Sequence, residues 1–326
     1  ESPVFALAYG VIIAGIVQLF FQIKFLLDLK LLPRLDLKIF NKGTKKIFNL
    51  MIPGILAGGV VQLNILIDTI FASLLETGSP TWLYLSDRLI QLPLGIFGIA
   101  IATVILPKLS SEYVAEKYLE FKENLRWGIE LILIFAIPSS VALFSLGLPI
   151  IELLFVRGNF NESDAIMTAM SLQAFSLGLF AFMLIKVLSA SFFARQDTFT
   201  PLIITILSFV MNVFLNYFLA IYLGYGHVGL ALGSSIAAIV SVVIYYLILS
   251  RNSFIEVTKE SLISIIKILS ANIVFYLVIN FFANNISAIN DQWLSNLVLL
   301  FGILFLIIFY FLILYLLGFR ASFFRR

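Results

Sequence analysis

LSNLVLLFGILFLIIFYFLILYLLG, residues 294–318, carries no charged side chain from end to end. A helix needs about 20 apolar residues to cross about 30 Å of hydrocarbon, and this stretch exceeds that. It has no polar face to turn toward water, so it reads as a span in lipid, where a helix satisfies its own backbone N–H and C=O groups. Eight similar runs precede it, at 4–27, 49–75, 83–107, 127–155, 165–193, 201–223, 228–250 and 262–282. The expected fold is all-α, a polytopic helical membrane protein of nine transmembrane helices. Composition agrees: 61% of the 326 residues are hydrophobic and 12% are charged, against about a quarter charged in soluble domains. The 33 phenylalanines suit lipid contact.

The connections carry the punctuation. ETGSPT (76–81) and GYGH (224–227) read as turns. RGNFNESD (157–164) reads as a loop with Ser163 as N-cap of the next helix. KLSSEYVAEKYLEFKENLR (108–126) reads as a charged amphipathic surface helix joining two spans. Pro53, Pro93, Pro138 and Pro149 fall inside spans, where they should kink the helix or end a turn early. Lys and Arg divide unevenly between the two sets of helix ends. One set carries Lys24, Lys30, Arg34, Lys38, Lys42, Lys45, Lys46, Lys108, Lys117, Lys122, Arg126, Arg195, Arg251, Lys259, Arg320, Arg325 and Arg326, seventeen of the 21 basic residues; the other carries Arg157 alone. Positive charge collects on the cytoplasmic side, so Glu1 is expected outside and Arg326 in the cytoplasm. That bias accounts for the net charge of +3 and leaves no sign of a nucleic-acid partner. The first run has neither a basic segment before it nor a small-residue cleavage site after it, so it reads as a span rather than a leader. The chain is expected to begin partway through a longer protein.

Cysteine is absent and His227 is the one histidine, which excludes disulfides, thiol chemistry and multi-histidine metal sites. There is neither a phosphate-cradling P-loop nor a dinucleotide fingerprint. Ionisable groups at membrane depth are expensive and mark functional candidates. Asp68 lies mid-span in QLNILIDTIFAS (62–73), with Asn64 one turn earlier on the same face. It must be protonated, paired or bound to a cation. Asp87 and Arg88 lie in YLSDRLIQLPLG (84–95). The planar guanidinium suits phosphate, and equally one half of an interhelical ion pair. Asn212 and Asn216 are four apart, hence on one helix face. Two amide oxygens in register could ligate a hard cation beside Asp68 or bond between helices. Lys186 lies about two turns from a helix end, where it either snorkels to the interface or lines a cavity.

Three strings, LNILIDTIFASLL (63–75), YLSDRLIQLPLGIFGIAIATVILPKLS (84–110) and LIKVLSASFFARQDTFTP (184–201), with RGNF (157–160), resemble the MurJ (MviN) family. These are bacterial lipid II flippases of the multidrug/oligosaccharidyl-lipid/polysaccharide exporter superfamily. The resemblance runs over the whole chain. It implies fourteen spans in the complete family fold, of which these nine resemble spans six to fourteen. The expected divisions are 1–48, the last helix of an N-terminal lobe and a basic loop; 49–251, a six-helix lobe; and 252–326, a two-helix extension forming a groove for a lipid tail. The implied activity is transport rather than covalent catalysis: lipid II passes from the cytoplasmic to the periplasmic leaflet by alternating access. Arg88 matches the family's cavity arginine, and Thr81, Asp87 and Lys186 join it as candidate substrate-binding residues. Asp68, Asn212, Asn216 and the backbone carbonyl of Val228 match positions where some members bind sodium; no other cofactor is implied. Gln91 stands where members often carry an acid, which weakens any proton relay there. A polysaccharide-lipid flippase or a cation-coupled drug exporter is the alternative, though a drug exporter should carry cavity acids rather than Arg88 and Lys186. A glycosyltransferase should have a large outer loop with catalytic acids, which is lacking.

Overall fold

The computed structural model describes residues 3–29, 42–256, 258–286, 292–320 and 323. Among the described residues ten α-helices follow one another: α1 (Pro3–Asp28), α2 (Lys42–Ser73), α3 (Ser79–Pro93), α4 (Ala100–Val114), α5 (Tyr118–Phe155), α6 (Glu162–Ala194), α7 (Phe199–Leu215), α8 (Gly226–Arg251), α9 (Lys259–Ile286) and α10 (Gln292–Leu316). Two π-helical stretches, Leu94–Ile99 and Asn216–Tyr222, join α3 to α4 and extend α7. The result, among the described residues, is nine helices long and apolar enough to cross a membrane, as the sequence predicts. Lys30, Arg34, Lys38, Arg325 and Arg326 of the charge count lie outside the described residues.

The chain divides into two units, Glu1–Asn49 and Leu50–Arg326. The first holds α1 and the start of α2. Within α1 large side chains from Phe5 to Leu27 lie exposed, as a helix that is apolar all round does in lipid.

The second unit is built around α6, the most buried of the spans. It packs against α3, α4, α5 and α8, with Leu172, Leu179, Met183 and Val187 fully enclosed. Small residues let the backbones approach. A Cβ at Gly178 would lie 2.6 Å from Ser235 on α8, and the Ser235 hydroxyl donates to the Ala174 carbonyl at 2.8 Å. In the first turn of α6, Asp164 accepts from the Trp82 indole at 2.9 Å.

Helices α9 and α10 pack on α5 through a second cluster containing Ile134, Ile268, Phe275 and Tyr310. Its polar key follows from Pro138. Proline has no N–H, so the carbonyl four residues back, Ile134, loses its helical partner. The Tyr310 hydroxyl of α10 donates to that carbonyl at 2.9 Å, and Asn272 of α9 donates to the Tyr310 oxygen at 3.3 Å.

Three local expectations change. The capping residue of α6 is Asn161, not Ser163: its side chain accepts from the Asp164 N–H at 3.1 Å while Asp164 accepts from the Asn161 N–H at 3.0 Å. Such a reciprocal box needs an acid three residues after the cap, and only Asn161 has one. The stretch 108–126 is not a separate surface helix. It is the end of α4, a turn in which Glu116 takes φ 58°, and the start of α5. Leu109, Phe121 and Leu125 are fully buried and Asn124 donates to Glu112, so its apolar face closes the two helix ends on each other. Pro53, Pro138 and Pro149 stay inside unbroken helices, whereas Pro93 marks the switch from α3 to π-helix.

Candidate functional site

Two helices bring the polar cluster together. On α2, Asn64 donates to one oxygen of Asp68 at 3.1 Å. From the first residue of the π-helical stretch after α7, Asn216 donates to the other oxygen at 2.6 Å. Asn216 also donates to Asn212 Oδ1 at 2.9 Å, and the Asn212 amide meets Ser234 of α8 at 2.9 Å. Asn212 and Asn216 are buried. The sequence pairing of Asp68 with the two asparagines therefore holds in space. Of its two readings for them, this geometry is interhelical hydrogen bonding: the Asn216 nitrogen donates to the carboxylate, while the Asn212 oxygen lies beside it and accepts from Asn216.

That arrangement has an alternative built in. Turning the Asn212 amide lets its nitrogen donate to Asp68 at 3.0 Å and to Asn64 at 3.1 Å, while its oxygen accepts from the Ser234 hydroxyl at 2.9 Å and the Ser234 N–H at 3.2 Å. Its nitrogen would then face Asn216 Nδ2 at 2.9 Å. Two donors cannot pair, so this orientation gives up the Asn216–Asn212 hydrogen bond. Asn216 Oδ1 has no hydrogen-bond partner although buried, so an acceptor stands in reserve inside the cluster.

Local backbone explains the position of Asn216. A π-helical turn shifts side chains off the α register and recurs at functional sites, and this one begins at Asn216 itself. Helix α8 seats against it through Gly229 and Gly233. A Cβ at Gly229 would lie 2.7 Å from the Ala220 backbone nitrogen; one at Gly233 would lie 2.6 Å from Asn216 Oδ1. The spacing Gly229–Leu–Ala–Leu–Gly233 is a small-xxx-small pattern. It was the available signal for α8 as the third wall, and with it Ser234, which the sequence reading passed over. Beside the cluster, a cleft of about 230 Å³ runs between α2, α6, α7 and α8, lined by Asn64, Thr205, Ser208, Asn212 and Ser234 among others. Val228 sits in the first turn of α8, half-buried beside Ala72, Leu83 and Ala220.

Arg88 is placed otherwise. Helix α3 begins at Ser79, four residues before the predicted span, so Arg88 lies about two and a half turns in, a turn deeper than the sequence suggested. Ser86, on the buried face, donates to the Thr168 carbonyl at 2.8 Å, which anchors α3 to α6 and leaves Arg88 on the exposed side. Its guanidinium lies 4.7 Å from the Tyr84 ring centroid. Among the described residues it has no ion pair with a carboxylate. Asp87 is half-buried and accepts from Gln91 at a long 3.4 Å. Thr81 is exposed in the first turn of α3, and Lys186 is an exposed cation on the otherwise buried α6. The fold thus gathers Asp68, Asn212 and Asn216 into one cluster, while Arg88 and Lys186 stand apart from it as cations without carboxylate partners among the described residues.

Within the 184–201 string, Arg195, Gln196 and Asp197 build the turn from α6 to α7. Arg195 stacks on Phe192 at 4.5 Å and Phe254 at 4.2 Å, Gln196 turns the chain at φ 60°, and Asp197 accepts from the N–H and hydroxyl of Thr200 at 3.0 and 2.7 Å to start α7. Burial pulls the Arg195 guanidinium below its ordinary pKa, and Asp197 works against that shift.

Comparison with known proteins shows what the chain as a whole is similar to. The family model described as lipid II flippase MurJ matches residues 1–319. A lipid II flippase relative from Vibrio cholerae is 42% identical over 261 residues, covering 80% of this chain and 49% of the relative. One from Haemophilus influenzae is 38% identical over 279 residues, covering 84% of this chain and 54% of the relative. The solved structure of a lipid II flippase in an inward closed conformation superposes with a TM-score of 0.65 at 27% identity, covering 86% of this chain and 57% of that one. The chain spans about half the length of these curated relatives.

Proposed function

The chain belongs to the MurJ family of lipid II flippases, and from that premise we propose that it supplies one wall of a path that carries lipid II from the cytoplasmic to the periplasmic leaflet by alternating access. It is a multi-pass protein of the bacterial inner membrane. The observation that carries the proposal is Arg88: a guanidinium two and a half turns into a membrane helix, exposed, stacked on Tyr84 and without a carboxylate partner among the described residues. A charge at that depth needs a counter-ion or water. A pyrophosphate provides one, and the planar fork of donors suits its oxygens. Lys186 adds a second positive charge, Thr81 a hydroxyl and Asp87 a carboxylate that orients the head group's N–H and O–H groups. Helices α9 and α10 form the groove that receives the lipid tail. In this reading the loop at Arg157 faces the periplasm and the ends near Arg251 and Lys259 face the cytoplasm.

The test is complementation in cells depleted of their own flippase. Arg88→Ala, expressed in the full-length protein and reaching the membrane, should fail to sustain growth, and Arg88→Lys should sustain it partly, because it keeps charge and loses the fork. Normal growth of Arg88→Ala would remove the assignment.

The same reading assigns Asp68, Asn212, Asn216 and the Val228 carbonyl to a sodium ion. An all-oxygen set suits a hard monovalent cation. The buried acceptor Asn216 Oδ1 and the Asn212 oxygen beside the carboxylate support the fit, with Asn216 turning its oxygen toward the ion. Sodium should raise the melting temperature of the wild-type protein over potassium at equal ionic strength, and Asp68→Asn should abolish the difference. An equal response in both salts would rule the ion out.

A further inference from the structure

The cleft of about 230 Å³ beside the Asp68 cluster continues away from it. Its polar lining runs along two helices. On α7, Asn212, Ser208 and Thr205 follow one another at spacings of four and three, hence on one face. On α8, Ser234, Ser241 and Tyr245 are spaced by seven and four, again on one face. The two rows meet in antiparallel order: the Asn212 amide contacts Ser234 at 2.9 Å, and the Ser208 hydroxyl points at the Ala237 carbonyl at 3.5 Å. From Asn212 to Thr205 the row descends about 10 Å, at about 1.5 Å per residue. Thr205 lies six residues after Phe199, where α7 begins, and Tyr245 six before Arg251, where α8 ends. The cleft thus leads from the cluster at membrane depth toward the helix ends that carry Arg195 and Arg251.

Three observations describe what the cleft admits. First, its hydroxyl protons are committed. Thr205 donates to the Pro201 carbonyl and Ser241 to the Ala237 carbonyl, each at 2.8 Å and within its own helix. A hydroxyl whose proton is used presents oxygen lone pairs, which accept from water or ligate a cation. Second, Tyr245 lines the lower end of the cleft and is 2% exposed, and among the described residues its hydroxyl has no hydrogen-bond partner. Third, no charged side chain stands among the described residues of the lining, and the wall opposite is apolar, with Val60 and Val61 of α2 and Phe182 and Ile185 of α6. Neutral oxygens in succession hold a cation weakly enough to let it move on. The volume has room for several waters and falls below the roughly 300–1,000 Å³ of organic-ligand sites.

We propose that this cleft is the route by which a monovalent cation, keeping part of its water, passes between the Asp68 cluster and the face assigned to the cytoplasm. The route presupposes the reading of that cluster as a cation site, and adds how the ion reaches and leaves it. The ion moves from the cluster to Ser208, then to Thr205 and Ser241, and last to Tyr245. The apolar wall keeps the passage narrow. An anion would face oxygen lone pairs along the row and is excluded.

Silver ion tests the route. It has the charge of sodium and a similar size, and it reacts with a thiolate rather than with a thiol kept protonated by apolar surroundings. The full-length protein, carrying one cysteine at a time, is studied in inverted and in right-side-out vesicles, with silver block read as lost maleimide labelling after denaturation. Ser208→Cys and Ser241→Cys should be blocked faster in inverted vesicles than in right-side-out ones. Val210→Cys and Val243→Cys, exposed positions on the same helices outside the cleft, should keep their labelling. An anionic methanethiosulfonate should modify Ser208→Cys and Ser241→Cys roughly tenfold more slowly than a cationic one of the same size. With Ser234→Cys as reporter at the upper end, Thr205→Val keeps the shape and loses the oxygen, and should slow silver block about tenfold. Thr205→Ser keeps the oxygen and should restore the rate, which a merely structural role for Thr205 would not explain. Equal block at the two control positions, faster block from the opposite face, indifference to reagent charge, or an unchanged rate in Thr205→Val would overturn the proposal. The silver rates are read without sodium. If sodium fails to raise the melting temperature while the silver pattern holds, sodium is ruled out as the occupant and the cation route stands.

Discussion

Gly233 is the residue on which the polar cluster turns. An added Cβ would stand 2.6 Å from Asn216 Oδ1, an atom that is buried and already without a partner. Gly233→Ala should therefore push Asn216 off Asp68 and destabilise the protein by about 1–3 kcal/mol, the usual penalty of overpacking. Thermal unfolding in detergent measures it, and an unchanged melting temperature would show that the site has slack. Asp68 and the asparagines were legible in the sequence because a carboxylate and amides are rare in a span and their spacings fall on helix faces. Which amide atom faces the carboxylate was not legible, because it depends on Ser234, a residue from a third helix whose type alone says little.

At the scale of elements, Pro138 and Tyr310 form a matched pair. Proline withdraws the donor from the Ile134 carbonyl, and the Tyr310 hydroxyl replaces it at 2.9 Å. Tyr310→Phe leaves that carbonyl unsatisfied away from water, at a cost of about 1–3 kcal/mol. Pro138→Ala gives the carbonyl its helical N–H back. The cost of Tyr310→Phe should then shrink in the Pro138→Ala background, and a double-mutant cycle on the melting temperature reports the coupling. Additive effects would mean that the hydroxyl does not serve the proline gap. The prolines were visible in the sequence, and so was their position inside spans. That a tyrosine 172 residues later in the chain, from Pro138 to Tyr310, answers one of them was not. The stretch 108–126 failed in the opposite sense: its charges suggested a surface helix, but Leu109, Phe121 and Leu125 are buried between two helix ends. Pattern shows that a stretch has an apolar face and is silent on what covers it.

At the scale of the molecule, orientation is a prediction of charge alone, and the chain is suited to testing it because it has no cysteine. Asn159→Cys, beside Arg157, should react with a membrane-impermeant maleimide in intact spheroplasts. Asn252→Cys, beside Arg251, should react only after the membrane is opened. The reverse pattern would invert the whole topology, since the spans alternate.

The sequence by itself determined that the chain is all-helical, how many spans it makes, which family it resembles and which few polar residues lie at membrane depth. Those properties are local: hydrophobic length, charge at the loops and residue type can be read along one strand of text. Tertiary structure decided that Asp68 is bonded on both its oxygens, that Arg88 keeps no carboxylate partner among the described residues, and that α8 approaches through Gly229 and Gly233. Each of these depends on which helix faces which, and that is settled by the packing of many weak contacts between residues far apart in the chain.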